Sequence, residues 1–98
     1  DFEKIKKLQY ASVIITAPGD RVDFVSRNFA PKLGIQEDPV TGSAHCELIA
    51  YWRKKLKKKK LLANQISERG GEIHCIDNNE RVSIGGEAIT FLRGEIVL

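Results

Sequence analysis

Residues 34–45 read GIQEDPVTGSAH, and the fold turns on where this stretch stops being extended. Pro31 and Gly34 interrupt any periodicity ahead of it, and Pro39 pushes Asp38 toward extended backbone. From Gly42 or Ser43 onward the pattern changes. Ala44, Leu48, Trp52 and Lys55–Leu56 recur at helical spacing, while Ile49, Ala50 and Tyr51 widen the apolar surface. That breadth predicts a helix wrapped on several sides, with Tyr51 and Trp52 both in the core. Its C-terminal end turns basic, which complements the negative end of the helix dipole.

Outward from the helix the chain reads as short strands. Ala11–Ala17 is β-branched and apolar, Pro18-Gly19-Asp20 suits a tight turn, and Val22–Asn28 returns as the second strand of a hairpin. Between Phe29 and Thr41 no regular element is predicted. After the helix, Leu61–Ser67, Glu72–Ile76, Arg81–Ile84, Ala88–Leu92 and Glu95–Leu98 are expected strands, separated by Gly- and Asn-rich turns. The expected class is α+β: a curved, mostly antiparallel sheet around one central helix.

Length and composition narrow the function classes. Ninety-eight residues with 42% hydrophobic and 30% charged side chains make one globular domain, residues 1–98, with a modest core. No apolar run approaches the roughly 18 residues of a membrane-spanning helix, and a cytoplasmic chain without membrane contact is expected. The chain opens at Asp1 and contains no Met, so it reads as a piece of something longer or a trimmed chain. The net charge of +3 is local: Arg53–Lys60 reads RKKLKKKK, and the remainder carries nine Lys and Arg against thirteen Asp and Glu. Without interleaved aromatics that run is a solvated helix end, and no nucleic-acid partner is expected. Cys46 and Cys75 form no CxxC pair, and adjacent strand residues His74 and Cys75 point to opposite faces, so no metal site is expected.

The chemistry concentrates at Asp38 and Thr41-Gly42-Ser43-Ala44. The first amides of a helix lack internal partners, and the dipole adds about half a positive charge there. Gly42 admits close backbone approach, and the hydroxyls of Thr41 and Ser43 offer further donors, so the segment suits an anion, with the Asp38 carboxylate at its rim. His45 packs beside that site or hydrogen-bonds within it. The residues alone also fit a plainer account, in which Thr41 or Ser43 caps the helix and Asp38 closes a turn.

The motif EDPVTGSAH, together with DFVSRNFAP, LGI, YW, LLANQISERGGEI and RVSIGGEAI, resembles the C-terminal half of the PhzF-like (phenazine biosynthesis-like) isomerase and epimerase family. The likeness runs from about Asp23 to Leu98. It implies one lobe of a diaminopimelate epimerase-like fold, a two-lobed protein whose active site lies in the cleft between lobes. It also implies proton transfer on a small carboxylate-bearing substrate without metal or organic cofactor. Asp38 falls at the family's active-site Asp, and Gly42 and Ser43 at its carboxylate-binding amides. The principal acid/base, a Glu, belongs to an N-terminal lobe that these residues do not include. Ala50 and Lys57 depart from the motif at scaffold positions. The alternative expectation is a non-catalytic lobe that binds small anions or self-associates as a homodimer through the face meant for its partner lobe.

Overall fold

A computed structural model describes residues 1–98. Strands β1 (Val13–Pro18) and β2 (Phe24–Ala30) form the expected hairpin, antiparallel from Val13 opposite Phe29 to Pro18 opposite Phe24. Gly19 is required at its turn, because a Cβ there would lie 2.5 Å from the Val22 carbonyl oxygen. Along β2 the inward positions Phe24, Ser26, Asn28 and Ala30 are all buried. The far edge of β2 is shared: Phe24–Ser26 pair in parallel with β4 (Lys60–Gln65), and Asn28 and Ala30 pair antiparallel with β3 (Ile35–Asp38). A parallel pair needs a crossover, and the helix spanning Gly42–Leu56 lies within it. Strands β5 (Gly71–Asp77) and β6 (Val82–Gly85) complete a six-stranded, mostly antiparallel sheet in the order β1-β2-β4-β5-β6, with β3 beside β2.

A short helix α1 (Phe2–Lys6) precedes the hairpin, capped by Asp1, whose Oδ1 accepts from the Glu3 and Lys4 amides. Neither α1 nor β3 was expected from the pattern. Each is too short for periodicity to register, and β3 carries Gln36, Glu37 and Asp38 in succession, which hides its pairing.

The long helix, α2, lays one face on the sheet: Ala44, His45, Leu48, Ile49 and Trp52 are buried. Leu48, Ile49 and Trp52 join Phe24, Leu61, Ala63, Ile73 and Cys75 in the core. The Trp52 ring stacks on Phe24 at 5.5 Å between centroids and 6° between planes, and its Nε1–H donates to Thr16 Oγ1 at 2.9 Å. The wrapped helix expected from the apolar pattern is corrected at Tyr51, which is 52% exposed. One residue corresponds to about 100° of rotation. With Trp52 inward, Tyr51 turns to solvent, its ring edge against the indole and the Lys55 ammonium over its face.

The basic end of α2 is tied to the sheet. Arg53 pairs with the buried Asp77 carboxylate at 2.6 Å, and Lys58 pairs with Asp23. Lys57 ends the helix at φ 53°, the left-handed region that favours glycine. His74 and Cys75 do face opposite ways, His74 exposed and Cys75 buried. Burial pushes the Cys75 thiol up to about 11, whereas Cys46 is exposed.

The two C-terminal strands expected at Ala88–Leu92 and Glu95–Leu98 do not form. Ile89, Phe91, Leu92, Ile96 and Val97 are exposed, and no ladder receives their backbone groups. Alternating apolar residues favour a strand only where a neighbouring strand accepts the N–H and C=O groups. No helix is long and apolar enough to cross a membrane.

Candidate functional site

The turn between β3 and α2 is built from long-range partners. Arg27 on β2 holds Glu37 on β3 through two hydrogen bonds, Nε to Oε1 at 2.7 Å and Nη2 to Oε2 at 2.8 Å. The hydrogen bonds from the guanidinium hold the Glu37 carboxyl below its usual range. This clamp fixes the end of β3 and sets Asp38 opposite Asn28.

Thr41 is the junction. Its hydroxyl donates to Asp38 Oδ2 at 2.6 Å and accepts from Asn28 Nδ2 at 3.0 Å and Gln65 Nε2 at 3.1 Å. Its N–H donates to Gln65 Oε1 at 2.8 Å. A hydroxyl has one donor and two acceptor sites, so this one is fully used. Gln65 is completely buried and also donates from Nε2 to the Asp38 carbonyl at 2.7 Å. Two residues along, Ser67 Oγ donates to the Pro39 carbonyl at 2.8 Å. Val40 packs so close to Gly71 that a Cβ there would stand 2.2 Å from Val40 Cγ2.

This accounting corrects the expectation that the Thr41 hydroxyl is open to a ligand, and it removes the side-chain cap from the plainer account, whose other half stands in that Asp38 closes the turn by accepting from Thr41. Thr41 occupies the N-cap position, φ −116° and ψ 100°, but its side chain makes no capping hydrogen bond. The first-turn amides of α2 are therefore left without a side-chain acceptor, in a helix of 15 residues. Asp38, Thr41, Ser43 and Ala44 line one cavity of about 320 Å³, with Asn28 and Glu47 in the same wall. Gly42 instead borders an adjoining groove that also contains Arg69, His74 and Glu87. A Cβ on Gly42 would come within 3.1 Å of Ile84 Cδ1, so the close neighbour of its α-carbon is the β6 side chain.

His45 does not reach the cavity. It is fully buried, offset-stacked near Phe24 at 5.9 Å, with Nδ1–H donating to the Thr41 carbonyl at 2.8 Å and Nε2 facing the Ser26 hydroxyl at 3.4 Å. Burial lowers its pKa below the usual 6.5, and the Thr41 carbonyl only partly opposes this. The folded chain therefore holds His45 neutral while the unfolded chain binds a proton near pH 6.5. Stability from this group is complete above that pH and falls as pH drops below it toward the lower folded value. Urea midpoints measured from pH 8 to 5 are expected to decline below about 6.5, and a His45→Gln variant is expected to flatten that part of the profile.

Asn28, Gln65 and Ser26 were not singled out by the sequence motif, yet they organise the turn. A signal was present: each is polar at an inward position of an alternating strand, where burial demands a hydrogen-bond partner. No group of three or more His, Cys, Asp or Glu stands together as a metal-binding set. The arrangement can receive an anion on free amides beside a carboxylate that uses one oxygen to hold Thr41.

Residues 1–94 match the family model described as phenazine biosynthesis-like protein. An uncharacterized isomerase of Pseudomonas aeruginosa is 53% identical over 98 residues, covering 100% of this chain and 38% of that protein. The mouse phenazine biosynthesis-like domain-containing protein 1 is 50% identical over 82 residues, 83% of this chain and 27% of its own length. The crystal structure of a PhzF-family phenazine biosynthesis protein from Enterococcus faecalis superposes with a TM-score of 0.90 at 54% identity, over 100% of this chain and 38% of that one. The chain thus spans well under half the length of these relatives.

Proposed function

The chain belongs to the phenazine biosynthesis-like (PhzC-PhzF) family, and from that premise we propose that residues 1–98 are the C-terminal lobe of an isomerase acting on a small carboxylate-bearing substrate. The substrate carboxylate docks on the amides of Gly42 and Ser43, and Asp38 moves or orients a proton beside it. The observation that carries this reading is the pairing of an uncapped helix start with a carboxylate anchored at its side. Backbone donors fixed in place stabilise charge that develops on a substrate when a proton leaves, and they need no reorganisation as it does so. In this reading the side chains and amides suffice for the proton transfer, with no cofactor.

The second wall of the cleft comes from the part of the relatives that this chain does not span. The apolar side chains of residues 89–98, exposed here, supply a surface for it to cover. Self-association through the same residues, giving a homodimer of lobes, is the competing outcome.

An Asp38→Asn substitution in a protein of the relatives' full length tests the assignment. Turnover is expected to fall by about 10²-fold or more, the scale of a positioned acid or base, with substrate binding retained. Unchanged turnover overturns it.

A further inference from the structure

His45 is a fully buried polar ring with a partner at each nitrogen. Nδ1 lies 2.8 Å from the Thr41 carbonyl oxygen, and Nε2 lies 3.4 Å from the Ser26 hydroxyl. A carbonyl only accepts, so Nδ1 carries the proton and the Ser26 hydroxyl donates to the Nε2 lone pair. Phe24 and Ser26, both on β2, fix the ring from the sheet side, Phe24 by stacking at 28° between planes. Phenylalanine would fill this core position without desolvating two ring nitrogens, so packing alone does not account for an imidazole here.

The carbonyl that His45 grips shares one planar peptide group with the Gly42 N–H, the first amide of α2. The rest of Thr41 is held as well, its N–H by Gln65 Oε1 and its hydroxyl by Asp38, Asn28 and Gln65. The oxygen end of the Thr41–Gly42 peptide is thus set by the ring, and with it the aim of the Gly42 N–H. A hydrogen bond accepted at a carbonyl also polarises its peptide, which makes the N–H of the same unit a stronger donor. We infer that His45 is a positioning residue, fixing and polarising the Thr41–Gly42 peptide so that the Gly42 amide holds the substrate carboxylate. This rests on the anion reading of the α2 amides and deepens it. The histidine of the motif turns away from the cavity because it acts through the backbone of Thr41 and touches no ligand.

The test is an NMR titration of the 98-residue chain with acetate, and with sulfate as a bare anion, on the wild type, His45→Phe and His45→Asn. Phenylalanine keeps the ring volume and removes the donor. Asparagine loses the ring and places an amide N–H where Nδ1 stands. In the wild type the ring ¹⁵N shifts are expected to show the Nδ1–H tautomer, and acetate is expected to move the Gly42 and Ser43 amides. In His45→Phe acetate binding is expected to weaken about threefold or more, the scale of withdrawing one polarising bond from a charge-assisted contact. The Gly42 ¹⁵N resonance should already be displaced there before any ligand is added. In His45→Asn binding is expected to stay within about twofold of wild type, although the lost ring lowers the urea midpoint. Site and stability therefore move in opposite senses across the two variants. Binding that follows stability, kept in Phe and lost in Asn, overturns the inference, as does equal affinity in all three chains, which leaves the anion site intact. The Nε2–H tautomer in the wild type overturns it without any variant. No shift at Gly42 or Ser43 with either anion in the wild type overturns the anion reading and this inference with it.

Discussion

Trp52→Ala is expected to destabilise the chain by about 3–5 kcal/mol, the range for truncating a buried aromatic side chain. The indole is 2% exposed, stacks on the fully buried Phe24, and makes the only side-chain hydrogen bond from the middle of α2 to β1, at Thr16 Oγ1. Truncation opens a cavity between the helix and the sheet that neighbouring rings cannot close without leaving their rotamers. Domains of this size hold only about 5–15 kcal/mol in total, so a large share of the stability goes with one side chain. Urea unfolding followed by circular dichroism measures it, since the intrinsic indole fluorescence is lost with the residue. A loss under about 1 kcal/mol would mean that α2 is not seated on the sheet through this ring.

Gln65→Leu is the second large effect, and it acts on the site. Leucine fills much the same space but leaves the Thr41 N–H and the Asp38 carbonyl without their partners. Two groups losing buried hydrogen bonds, at roughly 1–3 kcal/mol each, give an expected loss of about 2–4 kcal/mol. The distinguishing readout is local. Hydrogen exchange at the Thr41 amide should accelerate far more than at β5 amides such as Ile73, and carboxylate binding at Ser43 should weaken as the Asp38–Thr41 turn loosens. Uniform acceleration across the sheet would instead assign Gln65 a general packing role.

The contrast between these two residues shows what was legible beforehand. Trp52 stands in a helical apolar pattern, so its burial could be read directly. Gln65 ends a strand whose inward positions are Leu61 and Ala63, and only the alternation marks it as buried; nothing local says what it binds. Tyr51 was misread because the apolar stretch of α2 is wider than the face the sheet covers. The strands at Ala88–Leu92 and Glu95–Leu98 were misread because propensity describes the segment, whereas a strand exists only with its neighbour.

By itself the sequence determined the hairpin, the start of α2 at Gly42 or Ser43, the placing of Asp38 and the helix amides within a few residues of one another, and the family likeness carried by EDPVTGSAH. These depend on turn chemistry, periodicity and short spacing, all of which act along the chain. Only the tertiary structure decided that the Thr41 hydroxyl is spent on Asp38, Asn28 and Gln65, that the helix start is consequently uncapped, and that His45 lies in the core and not at the cavity. The partners of Thr41 come from β2 and β4, 13 and 24 residues away, and those distances are closed by the parallel pairing of the two strands around α2. Hydrogen-bond accounting is a property of groups brought together in space, and the spacing of residues along a chain does not carry it.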